Sequence, residues 1–399
     1  MKDQFKELLA LHFLNDGVRT TLIVLLPFIA KDLSLSLTQV GFLGSSQALI
    51  ASILALPTGF IAGKIGGFKI LTTLLLIYSI GALGISISMS AFALFCMFYL
   101  AALGFGTFHT IGFSLTAKTS IPENIGKNMG NFTSIGEIGR VTLPPLAVFA
   151  TSVIGWRETI GIIAIIGLVL YVISRFTFTK DISPEKHISK QHHVDYLKDI
   201  ISLFKNKHAI SITAAAIIDS FASSPIYVFL PFLLVSKGIN TQLLGITMGG
   251  FFIGSLFGKS LLGRSVDKLG NVKVFVISEF CMAFALLCIS ESTQYALLLF
   301  FAMLLGIFTK GTSPVVQTMF SELSHKDHYY KIYAVSELTI GFAAVITIIV
   351  MGTVADKTNI HMVFYLCALL ACLATIPILT FSKAKGSHAY NPVEIEGRE

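Results

Sequence analysis

Twelve stretches of mostly apolar residues follow one another along this chain. Each is long enough to cross a bilayer as an α-helix, which takes about twenty residues. They run roughly over 8–30, 39–62, 69–90, 92–117, 129–153, 158–178, 208–234, 241–262, 273–290, 295–318, 332–354 and 361–381. Backbone exposed to hydrocarbon must satisfy its own N–H and C=O groups, so a spanning segment is a helix or belongs to a closed barrel. Barrel strands alternate in short segments, and these runs do not. Charged residues make up only 13% of the chain and hydrophobic ones 54%, against about a quarter charged in soluble domains. The fold class is therefore an all-α membrane protein with twelve transmembrane helices. The first run is already a full-length span with Asp16 and Arg19 inside it, unlike a cleavable signal.

Part of the sequence is written twice. Residues 59–70 and 263–274 align so that Gly59, Lys64, Gly66 and Lys69 fall opposite Gly263, Lys268, Gly270 and Lys273. Leu26-Pro27-Phe28 matches Leu230-Pro231-Phe232, Gly41 matches Gly245, and Asp16 lies near Asp219 with one residue of slip. Such duplication predicts two pseudo-symmetric halves with a binding site near the axis between them. The expected division is a six-helix bundle over 1–178, a polar linker over 179–207, a second six-helix bundle over 208–385 and a tail over 386–399. With both termini cytoplasmic, about 22 of the 29 Lys and Arg fall on the cytoplasmic side. Lys31, Arg157, Lys237 and Lys357 fall outside, and Arg19, Arg140 and Lys310 lie within spans. The opposite orientation inverts that bias. A compact chain of this kind is expected in a bacterial inner (plasma) membrane, as a monomer, with lipid and no nucleic acid as its surroundings.

Ionisable side chains at the centre of a span cost about 2.5–3.5 kcal/mol each on insertion scales. Asp16, Arg19, His109, Glu137, Arg140, Asp219, Lys310 and Glu337 are nevertheless placed there. Asp16 and Arg19 are spaced i,i+3, as are Glu137 and Arg140, so each arginine is expected to have a carboxylate on its own helix face. Packing alone is one reading of these pairs; a polar cluster lining a cavity is the other. Four carboxylates against three cations favour one protonated acid. Asp219 and Glu337, with no cation within a turn, are the first candidates for a proton site. Asp16, Glu137 and the titratable His109 follow. Glu279 reads as interfacial or locally paired. Arg19 and Lys310, one from each half, are expected to hold an anionic substrate, with Arg140 held by Glu137 and Tyr227 lining the cavity. Pro144, Pro145 and Pro225 are expected to bend their helices. Glycines at four-residue spacing, Gly245 and Gly249 and then Gly250, Gly254 and Gly258, predict close helix packing. No P-loop, H-E-x-x-H or G-x-S-x-G pattern is present, so neither ATP-driven pumping nor an enzymatic role is expected, and no catalytic residue, metal or cofactor is assigned.

The segment Gly263-x-x-x-Asp267-Lys268-x-Gly270-x-x-Lys273 resembles the loop signature of the major facilitator superfamily, and the likeness extends over the whole chain. The first copy keeps Gly59, Lys64, Gly66 and Lys69, with Gly63 where the acid stands in the family pattern. The resemblance implies that these loops latch the outward-facing state, with Asp267 carrying most of that role here. His12-Phe13-Leu14-Asn15-Asp16, Gly104 to His109, and Gly136-Glu137-Ile138-Gly139 with Pro144 look like the fosmidomycin-resistance type of exporter. Leu143 departs from the antiporter pattern of a glycine before that proline. The implied function is proton-coupled efflux, by antiport, of a small organic molecule, the anionic kind included. Uptake of an organic anion or metabolite with protons is the alternative; a membrane enzyme or non-transporting receptor is remote.

Overall fold

A computed structural model describes residues 2–119, 125–177, 207–321 and 329–385. Fourteen helices occupy these residues, with no strand among them: α1 (Lys2–Val24), α2 (Leu26–Asp32), α3 (Leu37–Ile65), α4 (Gly67–Ile87), α5 (Ala91–Gly106), α6 (Phe108–Thr119), α7 (Ile125–Ile154), α8 (Trp156–Thr177), α9 (Lys207–Ser236), α10 (Thr241–Leu269), α11 (Asn271–Glu291), α12 (Tyr295–Ser321), α13 (Tyr329–Lys357) and α14 (Ile360–Lys385). Eleven spans are long and apolar enough to cross a membrane, and α1 with α2 makes a twelfth as one span bent by 44°. The bend falls before Pro27, which lacks an N–H and crowds the preceding turn. Its counterpart Pro231, like Pro225, stays inside the continuous helix α9, and Pro144 and Pro145 stay inside α7. The expected twelve-helix, two-bundle architecture is present. The central polar segment lies outside the described residues apart from Lys207.

The duplication is visible in the backbone. α3 and α10 are both 29 residues long, α4 and α11 both 21, and each pair is offset by the register of the sequence repeat. Gly66 and Gly270 join each pair with φ of 108° and 79°, a left-handed conformation that glycine adopts without penalty. That turn needs a residue free to take positive φ, and both copies keep the glycine there. The C-termini of α4 and α11 are also treated alike. Arg157 donates to the carbonyls of Ser86 and Ser88, and Lys237 to those of Ser290 and Ser292. A cation therefore meets the negative end of each helix, supplied from a different element in each half.

Within the first half α1 packs on α7, α4 on α5 and α8, and α3 on α5; within the second, α9 packs on α13 and α14, and α10 on α12. The halves meet where α3 lies on α13 and α7 on α10. On α10 the expected glycine row faces two ways. Gly245 and Gly249 receive Pro145 and Val148 of α7, while Gly250, Gly254 and Gly258 receive α12 around Met303 and Ile307. Any Cβ at Gly254 would strike the Met303 carbonyl, and one at Gly306 the Phe251 carbonyl. The outward face of α8 is a stripe of exposed Ile162, Ile165, Ile166, Val169, Val172, Ile173 and Phe176, suited to lipid.

At the end of the bundle opposite the chain termini, Asp356 of α13 reaches across to the start of α3. Its carboxylate accepts from the N–H of Leu37 and of Thr38, 2.7 Å each, and from the Thr38 hydroxyl at 2.6 Å. The first N–H groups of a helix have no partner within it, so an acid from the other half caps α3. One turn further along, Gly41 lies against the backbone of Ile348. Removing such a cap costs about 1 kcal/mol, roughly a five-fold shift in an opening equilibrium. Asp356→Ala is therefore expected to raise maleimide labelling of a Ser45→Cys reporter, buried on α3, by about that factor. Labelling that does not change would show that the contact does not hold this end closed.

Candidate functional site

Asp16, near the middle of α1, is the most heavily partnered acid between the helices. Arg140 Nη2 lies 2.7 Å from its Oδ2, and His109 Nε2 lies 3.1 Å from its Oδ1. His12 Nε2 sits 3.3 Å from Oδ2, and Asn15 donates to Oδ1 at 3.2 Å. His12 is stacked between Phe108 and Phe132, and its Nδ1 is 2.7 Å from the Phe132 carbonyl. A carbonyl only accepts, so Nδ1 carries the hydrogen and Nε2 is turned to the carboxylate. Gly136 and Gly139 of α7 permit this approach, since a Cβ at either would meet His12 or the Phe13 carbonyl.

Arg140 bridges two acids. Its other nitrogen, Nη1, donates to Glu137 Oε1 at 2.8 Å, as the i,i+3 spacing predicts. The same Oε1 receives Lys259 Nζ from α10. Asp16, Arg140, Glu137 and Lys259 thus form a chain of alternating charge from α1 through α7 to α10, crossing between the halves. The expected Asp16–Arg19 pair is not made: Asp16 turns to Arg140. Arg140 on a facing helix reaches Asp16 with Nη2 alone, its Nη1 going to Glu137, whereas an i,i+3 neighbour must fold back along its own helix. Lys259 is missing from the sequence-based tally of buried cations because it lies three residues from the end of its apolar run. It follows Gly245 and Gly249 by fourteen and ten residues, on the face of α10 that those glycines turn to α7.

Arg19 and Lys310 make no ion pair among the described residues. Both act electrostatically on the same cluster: Arg19 feels Arg140, Asp16 and Glu137, and Lys310 feels Arg140, Lys259 and Arg19. Lys310 Nζ lies 5.6 Å from the ring centroid of Tyr227, and the Tyr227 hydroxyl donates to Thr20 Oγ1 at 2.9 Å. Tyr227 therefore ties α9 to α1 between the two cations. In this cluster four cations (Arg19, Arg140, Lys259 and Lys310) face two carboxylates (Asp16 and Glu137) among the described residues. Within this cluster the surplus is positive; it differs from the sequence-based count of four acids to three cations because Lys259 joins it and Asp219 and Glu337 are not counted in it.

Asp219 lies apart from this cluster, buried beside Glu279 of α11. Glu279 has no exposed surface, so it is a core residue and not an interfacial one. The side chain of Glu337 lies outside the described residues, as do those at Gly59 and Lys64. Lys69 of the first loop is exposed, and in the second copy Asp267 and Lys268 are exposed and form no ion pair among the described residues. Gly263 and Lys273 flank them at the same end of the bundle.

The ligand atoms of His12, Asp16 and His109 lie within 4.8 Å of one another, a spacing that suits a metal. Arg140 already occupies Asp16 Oδ2, so a divalent cation would enter against a fixed positive charge. Hydrogen-bond donors and an anion fit this chemistry better.

A family model described as Major Facilitator Superfamily matches residues 8–217 and again 212–397. A multi-drug resistance efflux pump, PmrA of Streptococcus pneumoniae, is 23% identical over 388 residues, covering 91% of this chain and 92% of the pump. The sialic acid transporter NanX of Escherichia coli is 26% identical and covers 76% of each chain. Among solved structures, a bacterial homolog of the human lysosomal transporter Spinster, in an inward-facing conformation, superposes with a TM-score of 0.80. It is 13% identical and covers 98% of both chains. At that identity the likeness speaks for the fold.

Glu137 and Lys259 give a direct test of the charge chain. A double-mutant cycle of Glu137→Gln with Lys259→Gln, followed by thermal denaturation in nanodiscs, is expected to return a coupling of about 0.5–3 kcal/mol. Additive effects would mean that the pair contributes nothing to holding α7 on α10.

Proposed function

This chain belongs to the Major Facilitator Superfamily and is a multi-pass membrane transporter, and from that premise we propose that it carries a small organic anion by alternating access. The observation behind the reading is the surplus of cations between the halves. Arg140 and Lys259 are held by Asp16 and Glu137, which leaves Arg19 and Lys310 to meet a substrate. One comes from each half, so an anion between them pulls the halves together. The guanidinium of Arg19 offers a planar fork to a carboxylate or phosphonate, and Lys310 offers a movable point charge. Tyr227 supplies an aromatic wall and, through Thr20, a link across the same gap. Half-buried His109 and the acids Asp16, Glu137, Asp219 and Glu337 are the candidates for moving protons with the substrate.

On this reading the halves rock about the seams of α3 on α13 and α7 on α10, with the Asp356 contact closing the outer end. The latch loops at Gly59 to Lys69 and Gly263 to Lys273 bias the opposite state. The membrane is a bacterial inner membrane, with both termini in the cytoplasm and one chain sufficient. Export in exchange for protons is the first reading of direction, supported by similarity to PmrA along nearly the whole chain. Uptake with protons is the second, and two observations favour it: the positive surplus, because an anion and a proton stabilise each other in one site, and the likeness to NanX.

The test is transport of labelled organic acids, phosphonates and cationic dyes in proteoliposomes. A charge-assisted hydrogen bond is worth about 1.5–3 kcal/mol, so Arg19→Gln and Lys310→Gln are each expected to lower kcat/KM for the carried anion about ten-fold or more. Unchanged transport of every anion in both variants would sink the assignment. An imposed acid exterior settles direction: a symporter accumulates the anion, and an antiporter empties preloaded vesicles.

A further inference from the structure

One pair of acids plays no part in the anion site. Asp219 of α9 and Glu279 of α11 lie within hydrogen-bonding reach of each other, both buried. Neither carboxyl oxygen of Glu279 has a donor among the described residues, and Asp219 Oδ1 has none either. Counting 1.5 Å per residue, Glu279 sits about 12 Å into α11 and Asp219 about 18 Å into α9, both deep in their spans. The groups facing the pair are few. Lys310 of α12 acts on Asp219, and Cys372 of α14 lies beside Glu279. Helices α10 and α13 bring no titratable group to it among the described residues, the Glu337 side chain lying outside them.

Two ionised carboxylates in contact repel each other, and in a dry interior each has also lost its hydration. A single proton between them removes the repulsion and supplies the donor that the oxygens lack. Such a pair titrates as a unit, not as two independent acids. With Lys310 charged, a singly protonated pair is electrically balanced.

We propose that Asp219 and Glu279 form a proton-binding site, one exchangeable proton shared between two carboxyl groups and coupled to the substrate cavity through Lys310. Lys310 stands at the border, facing Asp219 on one side and the cations Arg19, Arg140 and Lys259 on the other. An anion drawn onto the ammonium weakens its attraction for the Asp219 carboxylate, so the proton is held more firmly. By linkage, a protonated pair releases Lys310 to the anion. The coupling half of the proposal rests on the anion-transport reading above; the proton site itself does not.

The two halves are tested separately. Difference infrared spectra of substrate-free protein in nanodiscs, recorded across pH, are expected to show the carbonyl band of a protonated carboxyl. The band should vanish in Glu279→Gln and in Asp219→Asn and persist, shifted, in Glu279→Asp. A band that survives both neutral substitutions overturns the site, and size-exclusion profiles of the variants confirm that each remains folded. In proteoliposomes, Glu279→Gln is expected to depress gradient-driven transport at least ten-fold more than counterflow of the same anion. Equal losses in the two assays overturn the coupling role. Should the wild-type protein carry no anion at all, the transport reading falls while the infrared band still decides whether the proton is there.

Discussion

A charged side chain inside a bilayer-spanning bundle must be met by a partner at contact distance, and the chain Asp16–Arg140–Glu137–Lys259 is how this protein meets that demand. Two of its links cross between helices, α1 to α7 and α7 to α10, and the third lies within α7, so the bonds tie the rotation and height of the three helices together. The imidazoles of His12 on α1 and His109 on α6 crowd the same carboxylate. This leaves Arg140 fully committed, although from its position alone it is as good an anion receptor as Arg19. Ion pairing, more than location, separates Arg140 and Lys259 from Arg19 and Lys310 among the described residues.

Packing of the helices follows a complementary rule. Ion pairs and close backbone approach share the α1–α7 seam, where Asp16 meets Arg140 and Gly139 lies against the Phe13 carbonyl. Where glycines line α10, backbone lies on backbone, and the contacts are dispersion and close approach. The two faces of α10 carry both rules at once: a glycine row against α12, a proline-to-glycine seam against α7, and Lys259 at the end.

Much of this was legible in the sequence and some was not, for physical reasons. Spans, repeat and the joints at Gly66 and Gly270 were readable because apolar length and positive φ are local demands. The Glu137–Arg140 pair was readable because i,i+3 spacing is local as well. Asp16 was misassigned to Arg19 because its real partner lies on another helix, and one sequence cannot say which helix face turns toward which. Glu279 was read as interfacial or locally paired for the same reason, since it faces an acid on another helix, α9. Lys259 escaped because a charge near the end of an apolar run looks solvated until a neighbouring helix covers it. Asp267 and Lys268 of the loop signature are exposed and form no ion pair among the described residues, so the latch role assigned to them rests on the family resemblance.

The Asp356 contact differs from the other bonds between halves in one respect: on the α3 side it grips main-chain amides, with a single hydroxyl added. Amides are present whatever residue occupies positions 37 and 38, proline excepted. Sequence drift at those two positions therefore leaves the main-chain hydrogen bonds in place, whereas replacing Asp356 removes all three bonds at once.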